Sequence, residues 1–304
     1  MEKASGARVV ECVPNFSEGR DAKVVEAIAG AIAACGVRVL DVQRDADHNR
    51  CVVTFLGSPE ACKRAALAGA RVAVERIDMN RHQGAHPRVG AVDVIPLVPV
   101  SGITMEECVA HARELATALW SELRLPVYFY EEAATRPERR NLEDVRRGQY
   151  EGLREAVRSD PSRAPDVGEA ALHPTAGAVV VGARAPLIAF NVNLGTSDLA
   201  LAQRIAKGVR HSSGGFRYVK AMGVKLEDRR IVQVSMNLTN FRGTPIHRVF
   251  ETIRNEAEAA GVSVVGSEIV GLVPMDALVD AARHFLRIEN FAPEQVLERR
   301  LLEE

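Results

Sequence analysis

The residues best suited to chemistry fall in one short stretch, Asp78 to Pro96. It reads Asp-Met-Asn-Arg-His-Gln-Gly-Ala-His-Pro-Arg-Val-Gly-Ala-Val-Asp-Val-Ile-Pro. His82, His86, Arg81 and Arg88 are set among Gly84, Pro87 and Gly90, which break regular structure. Imidazole titrates near neutral pH, and guanidinium grips a carboxylate through two parallel hydrogen bonds. The combination predicts an anionic substrate and a proton transfer, with Arg81, His82 and Arg88 as substrate-binding candidates. Two histidines four residues apart could instead hold zinc on a helix. The zinc-protease pattern needs Glu directly after the first His, where this chain has Gln83, and Gly84 and Pro87 oppose a helix. No metal is expected. A purely structural loop, its rings solvated or capping backbone, is the plain alternative.

Further polar residues fall at strand ends: Asn15, Asp41, Asn49 and Arg50 in the first half, and Asn191, Asn193 and Asn237 in the second. An Asn amide both donates and accepts, which suits a heterocycle edge or an amide group. For each Asn, pairing with a backbone edge is the alternative. The chain has no Gly-x-Gly-x-x-Gly after a strand, no Walker-type Lys-Ser/Thr and no Gly-x-Ser-x-Gly elbow. A general base without an evident nucleophile points to direct transfer between two bound substrates.

The elements that must position these residues read as two similar halves. In the first, a strand pattern (Arg8 to Pro14) precedes the polar loop Asn15 to Arg20. A helical spacing follows over Asp21 to Cys35, with Val24, Val25, Ile28 and Ile32 on one face. Two strands (Val37 to Val42, Arg50 to Leu56) flank a charged turn. A helix then opens with Ser58-Pro59 and runs to about Ile77, and a buried strand (Ala91 to Val98) follows the histidine loop. Thr104 and Glu107 match a capping box. Trp120 on the ensuing helix reads as core packing. Pro126 to Tyr130 is a strand, and the charge-rich run Glu131 to Arg147 reads as a solvated loop and helix. Ser159 to Gly177 has no periodicity and is a linker or a binding loop. The second half repeats the order: a strand (Leu187 to Leu194), a helix N-capped by Thr196, two strands (Tyr218 to Val224, Ile231 to Leu238), a helix opening at Thr244-Pro245 and a strand (Val262 to Val265). Each half is a β-α-β-β-α-β unit, the ferredoxin-like arrangement. A last amphipathic helix spans Met275 to Ile288, with His284 read as satisfied or solvated.

Composition narrows the class. Of 304 residues, 47% are hydrophobic and 26% charged, as in a globular protein, and a net charge of −1 supplies no pull toward nucleic acid or membrane. Aromatics at 5% leave too few rings for a base-stacking platform. The N-terminal residues have no signal-peptide core, and no apolar run reaches membrane-span length. Five scattered cysteines without Cys-x-x-Cys read as reduced thiols of a cytoplasmic protein.

Four segments carry a family resemblance: Glu11-Cys12-Val13-Pro14-Asn15-Phe16-Ser17-Glu18-Gly19, Arg81 to Ala91, Ile188-Ala189-Phe190-Asn191-Val192-Asn193-Leu194, and Val265 to Pro274. Together they resemble glutamate formimidoyltransferase, the first domain of formiminotransferase-cyclodeaminase, over nearly the whole chain. The resemblance implies an α+β fold of two ferredoxin-like subdomains, residues 1–183 and 184–304, with mixed or antiparallel sheets, outer helices and a substrate cleft between them. It also implies a homodimer that moves a formimino group between N-formimidoyl-L-glutamate and tetrahydrofolate in histidine breakdown. The chain ends at Glu304, so a cyclodeaminase portion is not expected. By position, the family's catalytic histidine is His86. Its folate-contacting segment falls on Gly168, Glu169, Ala170, Ala171, Leu172, His173, Pro174, Thr175, Ala176 and Gly177. Asn191 and Asn193 are candidates for substrate binding. Two positions depart from the family: Gln43 stands where mammalian members have an acid, and Ala176 replaces a large aromatic. Rival readings are a formyltransferase using N-formyl-L-glutamate on the same scaffold, a non-catalytic folate-binding protein, and a regulatory ligand-binding module.

Overall fold

The structure is a computed structural model that describes residues 7–226 and 229–302. Most of the N-terminal stretch read above for a signal core, Met1 to Gly6, lies outside them. The chain divides between Arg184 and Ala185 into two compact units.

The first unit is built on a mixed seven-stranded sheet. Its opening strand is split, where a single strand and then a loop were expected. β1 (Val9–Cys12) stops before Val13-Pro14, and β2 (Asn15–Phe16) resumes between β4 and β5. Pro14 has no N–H for the ladder, so the chain jogs there, and Phe16 re-enters fully buried. α1 (Ala22–Ala33) starts at Asp21, whose carboxylate accepts from the Lys23 N–H at 2.9 Å. β3 (Arg38–Asp45) and β4 (Arg50–Gly57) form an antiparallel hairpin. α2 (Pro59–Arg76) begins with Ser58 as N-cap and Pro59 at the first helical position, where a missing N–H costs nothing. β5 (Val92–Ser101) is buried over most of its length.

Beyond that β-α-β-β-α-β core the unit continues. α3 (Met105–Leu123) opens with the Thr104/Glu107 capping box. β6 (Val127–Glu131), α4 (Leu142–Val145) and α5 (Gln149–Ala156) lead to β7 (Val179–Ala183). β7 lies between β5 and β6, parallel to both, with Val180 opposite Val94 on one side and Tyr128 on the other. Neither β7 nor α5 was anticipated. The charge-rich run is also not simply solvated: Arg139 is buried against Asp166 at 2.5 Å, and Arg146 pairs with the buried Asp93.

The second unit is an antiparallel four-stranded sheet. Its elements are β8 (Ile188–Leu194), α6 (Leu199–Val209), β9 (Val219–Leu226), β10 (Ile231–Leu238), α7 (Ile246–Ala259), β11 (Val264–Val270) and α8 (Met275–Leu286). The strand order is β11-β8-β10-β9, with the first and third strands of the unit in the middle. α6 is capped by Asp198, not Thr196: the Asp198 carboxylate accepts from the Ala200 and Leu201 N–H groups, while the Thr196 hydroxyl accepts from the Asp198 N–H. Ile188, Phe190, Val192 and Leu194 face the apolar core, and the intervening Asn191 and Asn193 face the other way. His284 stacks on His247 with centroids 4.2 Å apart, and its Nε2 lies 2.9 Å from Glu251 Oε2. The chain is thus α+β with one mixed and one antiparallel sheet. Among the described residues no helix is long and apolar enough to cross a membrane.

Candidate active site

The histidine loop leaves α2 as irregular backbone, so its two rings are not helical neighbours. It is sewn to a segment about a hundred residues further on. The Met79 N–H donates to the Thr175 carbonyl at 2.8 Å, the Ala91 N–H to the Ala176 carbonyl at 2.8 Å, and the Ala178 N–H to the Val89 carbonyl at 3.1 Å. Gly90 and Gly177 make this crossing possible. A Cβ on Gly90 would stand 2.0 Å from the Ala178 carbonyl oxygen; Gly177 has φ +73°, and a Cβ there would stand 2.5 Å from the Val89 oxygen. The loop tip rests on the β3–β4 hairpin just as closely, since a Cβ on Gly84 would lie 2.3 Å from the His48 carbonyl.

Within the loop the two imidazoles have different surroundings. His82 Nε2 lies 3.0 Å from the Asn49 carbonyl oxygen, which only an N–H can satisfy, so the proton sits on Nε2. His82 Nδ1 then accepts from Arg88 Nε at 3.2 Å. Burial, with the Arg88 charge adding to it, holds the His82 pKa below the ordinary value. Asn49 is itself fixed: its Oδ1 accepts from the Gly19 N–H at 3.0 Å and its Nδ2 donates to the Gln83 carbonyl at 2.9 Å.

Arg88 is buried, and its guanidinium is taken: Nη2 donates to Glu151 Oε1 at 2.6 Å, and Nη1 donates to Glu151 Oε2 at 2.9 Å and to Gln149 Oε1 at 2.8 Å. Arg81 is the opposite case, its side chain 89% exposed and 3.6 Å from Asp78. The pairing of Arg88 with Glu151 and His82 suits a structural clamp better than a free carboxylate receptor.

His86 is half-buried, as His82 is, with its centroid 6.4 Å from that of His48 in an edge-to-face arrangement. Its pKa is pushed down to about 3, first by burial and then by the positive charges of Arg50 and Arg146. At neutral pH it is an uncharged imidazole, and as it stands the burial and the two guanidiniums make it a weak base. Around it, Asp93 accepts from the Val89 N–H at 3.0 Å and from Arg146. Asp45 holds His48 Nδ1 at 2.6 Å. Asp93, Arg146 and the role of Arg50 went unread in the sequence. One signal was present: Asp93 is a lone acid inside the apolar run Val92 to Val98, and a fully buried carboxylate requires a partner.

The 168–177 segment forms the wall of a groove of about 380 Å³, lined by Trp120, Arg124, Glu169, Ala171, Leu172, His173 and Pro174. Trp120 is therefore not core packing. It is half-buried, its ring is capped by the Arg124 guanidinium at 5.4 Å, and a Cβ on Gly168 would come within 2.8 Å of it. His173 closes the turn, its Nδ1 accepting from the Thr175 and Ala176 N–H groups. In the second unit, the buried Asn191, Asn193 and Gln233 join the exposed Glu268 in one polar set. Gln233 Nε2 donates to Asn193 Oδ1 at 2.9 Å and to Glu268 Oε1 at 2.7 Å, and Asn191 Nδ2 donates to Glu268 Oε1 at 3.1 Å. Among the described residues no cluster of three or more His, Cys, Asp or Glu could hold a metal ion.

Comparison with known proteins gives a consistent result. Residues 9–184 match the model of the formiminotransferase domain, N-terminal subdomain, and residues 189–300 that of the formiminotransferase domain. A glutamate formimidoyltransferase of Streptococcus pyogenes serotype M1 is 49% identical over 97% of this chain and 99% of its own length. One from Thermoplasma acidophilum is 48% identical over 96% of this chain and 97% of its own. The formimidoyltransferase-cyclodeaminase of Gallus gallus is 47% identical over 93% of this chain, which spans 53% of that longer protein.

Proposed function

The chain belongs to the formiminotransferase family, and from that premise we propose that it moves a formimino group between N-formimidoyl-L-glutamate and tetrahydrofolate, with His86 carrying the proton. The reaction belongs to histidine breakdown and one-carbon metabolism. The observation that carries the reading is the state of His86: an uncharged, half-buried imidazole beside two guanidiniums, on a loop pinned by backbone bonds to residues 175–178.

The groove along Glu169 to Pro174 fits a folate. Trp120 supplies an aromatic wall, and Arg124 and Glu169 offer charged groups for the polar edge of a flat heterocycle. Tetrahydrofolate supplies the nitrogen that exchanges the one-carbon unit with glutamate. As the unit crosses, one nitrogen must lose a proton and the other must gain one. His86 is suited to take the first proton and return it to the departing nitrogen, a contribution of about 10²–10⁴-fold. His82, with both nitrogens committed, keeps the loop in shape, and Arg88 clamps it to α5 through Glu151. Arg81, free at the surface apart from Asp78, and the Asn191–Asn193–Gln233–Glu268 set are the other substrate-binding candidates.

A cytoplasmic homodimer belongs to the same reading. Five free cysteines support a reducing compartment, and the exposed Leu278, Phe285 and Leu286 of α8 support a partner. Light scattering tests the dimer. The function is tested by incubation with tetrahydrofolate and either N-formimidoyl-L-glutamate or N-formyl-L-glutamate, followed by absorbance of the folate product. The reading predicts efficient turnover of the formimidoyl donor. Preference for the formyl donor would make the chain a formyltransferase on the same scaffold, and folate binding without transfer would make it a carrier.

A further inference from the structure

Arg50 opens β4 beside the loop and stands out by what it lacks. Its Nε is buried without a hydrogen-bond partner, and its guanidinium makes no hydrogen bond or ion pair with any described residue. Arg50 is half-buried, with its Nε shut away from solvent, so its charge is only partly hydrated and leaves room for an anion to complete it. The acids closest to it electrostatically, Asp93 and Asp45, are already committed to Arg146 and to His48. Around His86, Arg146 is bonded to Asp93 and Asp45 is engaged by His48, whereas Arg50 has no carboxylate bonded to it among the described residues.

We propose that Arg50 is the anchor for the α-carboxylate of the amino-acid substrate. This rests on the transfer reaction proposed above. In N-formimidoyl-glutamate the reacting nitrogen is bonded to Cα, and the α-carboxylate hangs from the same carbon. Any residue that holds the α-carboxylate must therefore lie beside the group that handles the proton, as Arg50 lies beside His86. The carboxylates of folate sit at the far end of that molecule from its reacting nitrogen, and the γ-carboxylate of the donor is two methylenes further from Cα. The α-carboxylate is the anion this position can reach during transfer. Its arrival would also offset the positive charge now facing His86, allowing the imidazole to hold a proton only while substrate is bound.

The test pairs Arg50→Met with three donors: N-formimidoyl-L-glutamate, its α-carboxamide analogue and its γ-carboxamide analogue. Loss of one partner of a buried charge pair predicts a fall in kcat/KM of roughly 30-fold or more for the normal donor, and wild-type enzyme should show a similar fall for the α-carboxamide. Arg50→Met should no longer distinguish acid from α-carboxamide, yet should discriminate the γ-carboxamide as wild type does. A variant with kcat/KM within threefold of wild type, or one that still prefers the α-acid, overturns the proposal. Folding is monitored alongside: removal of a half-buried charge with no bonded carboxylate should leave the melting temperature at or above that of wild type. Added L-glutamate should raise the wild-type Tm and leave that of Arg50→Met unmoved. If Arg50→Met does not fold, Arg50→Lys keeps the charge and should lose more with the α-acid than with the α-carboxamide. The thermal shift separates the two claims. Wild type that is stabilised by glutamate through Arg50 but transfers nothing upholds the anchor and removes the reaction.

Discussion

Arg88 Nε donates to His82 Nδ1 at 3.2 Å, and the same guanidinium holds Glu151 through two further bonds. With its other nitrogen on the Asn49 carbonyl, His82 has no free position for a substrate proton. His82 is therefore committed to supporting the loop, which leaves His86 as the histidine proposed for the chemistry. His82→Gln should lower the melting temperature, consistent with a loss of about 1–2 kcal/mol for disrupted buried hydrogen bonds, and should reduce kcat less than substitution of His86 does. Thermal melts and initial rates on both variants check this. A larger kcat loss in His82→Gln than in His86→Ala would reverse the assignment.

The depressed His86 pKa has a consequence for stability. Folded, the ring stays neutral down to about pH 3; unfolded, it takes a proton below its ordinary value of about 6.5. Between those values the unfolded chain binds more protons, so the contribution is complete above pH 6.5 and is lost as pH falls toward 3. His82 and His173 are shifted in the same direction. Denaturant melts from pH 7.5 to 5 should show falling stability, and His86→Asn should flatten that slope. In the free enzyme, NMR titration of the His86 ring should show no midpoint near 6.5.

Gly90→Ala should be far more disruptive than its single methyl suggests. The new Cβ would meet backbone oxygens at 2.0 and 2.6 Å, and backbone cannot swing aside as a side chain can. A loss of about 1–3 kcal/mol is expected, together with reduced turnover, because the crossing with Gly177 positions both the histidine loop and the 168–177 segment. Gly30→Ala, with nothing near its Cβ, is the control and should be neutral or stabilising.

Trp120 is the one tryptophan of the sequence, and it lines the groove beside Glu169 to Pro174. Its fluorescence should change on titration with a folate, and Trp120→Phe should abolish that signal while weakening binding less than Trp120→Ala does. Saturable folate binding with an unchanged emission spectrum would place the ligand elsewhere.

Much of the architecture could be read from local pattern. The Thr104/Glu107 box, the Ser58-Pro59 start and the β-branched run of β4 each impose their structure with neighbouring residues alone. The features that escaped reading depend on partners distant in sequence. β2 is only two residues long and exists because β4 and β5 flank it. β7 is a short apolar run whose strand character comes from parallel neighbours. Arg139 and Arg146 sit in a charged stretch that looks solvated until Asp166 and Asp93 are brought to them. In the candidate site, His86 and the 168–177 segment were proposed from resemblance alone, while the commitment of His82 needed the Asn49 and Arg88 contacts. The orphan Nε of Arg50 could not be inferred from composition or spacing, because it is defined by the partners its neighbours have already taken.

The central claim is that one imidazole relays the proton as glutamate and tetrahydrofolate exchange the formimino group. Steady-state turnover of His86→Ala with N-formimidoyl-L-glutamate and tetrahydrofolate tests it most directly, with folate affinity measured in parallel by Trp120 fluorescence. Turnover reduced at least about tenfold with folate affinity preserved is the predicted result. Near-wild-type turnover would contradict the account and remove His86 from the chemistry.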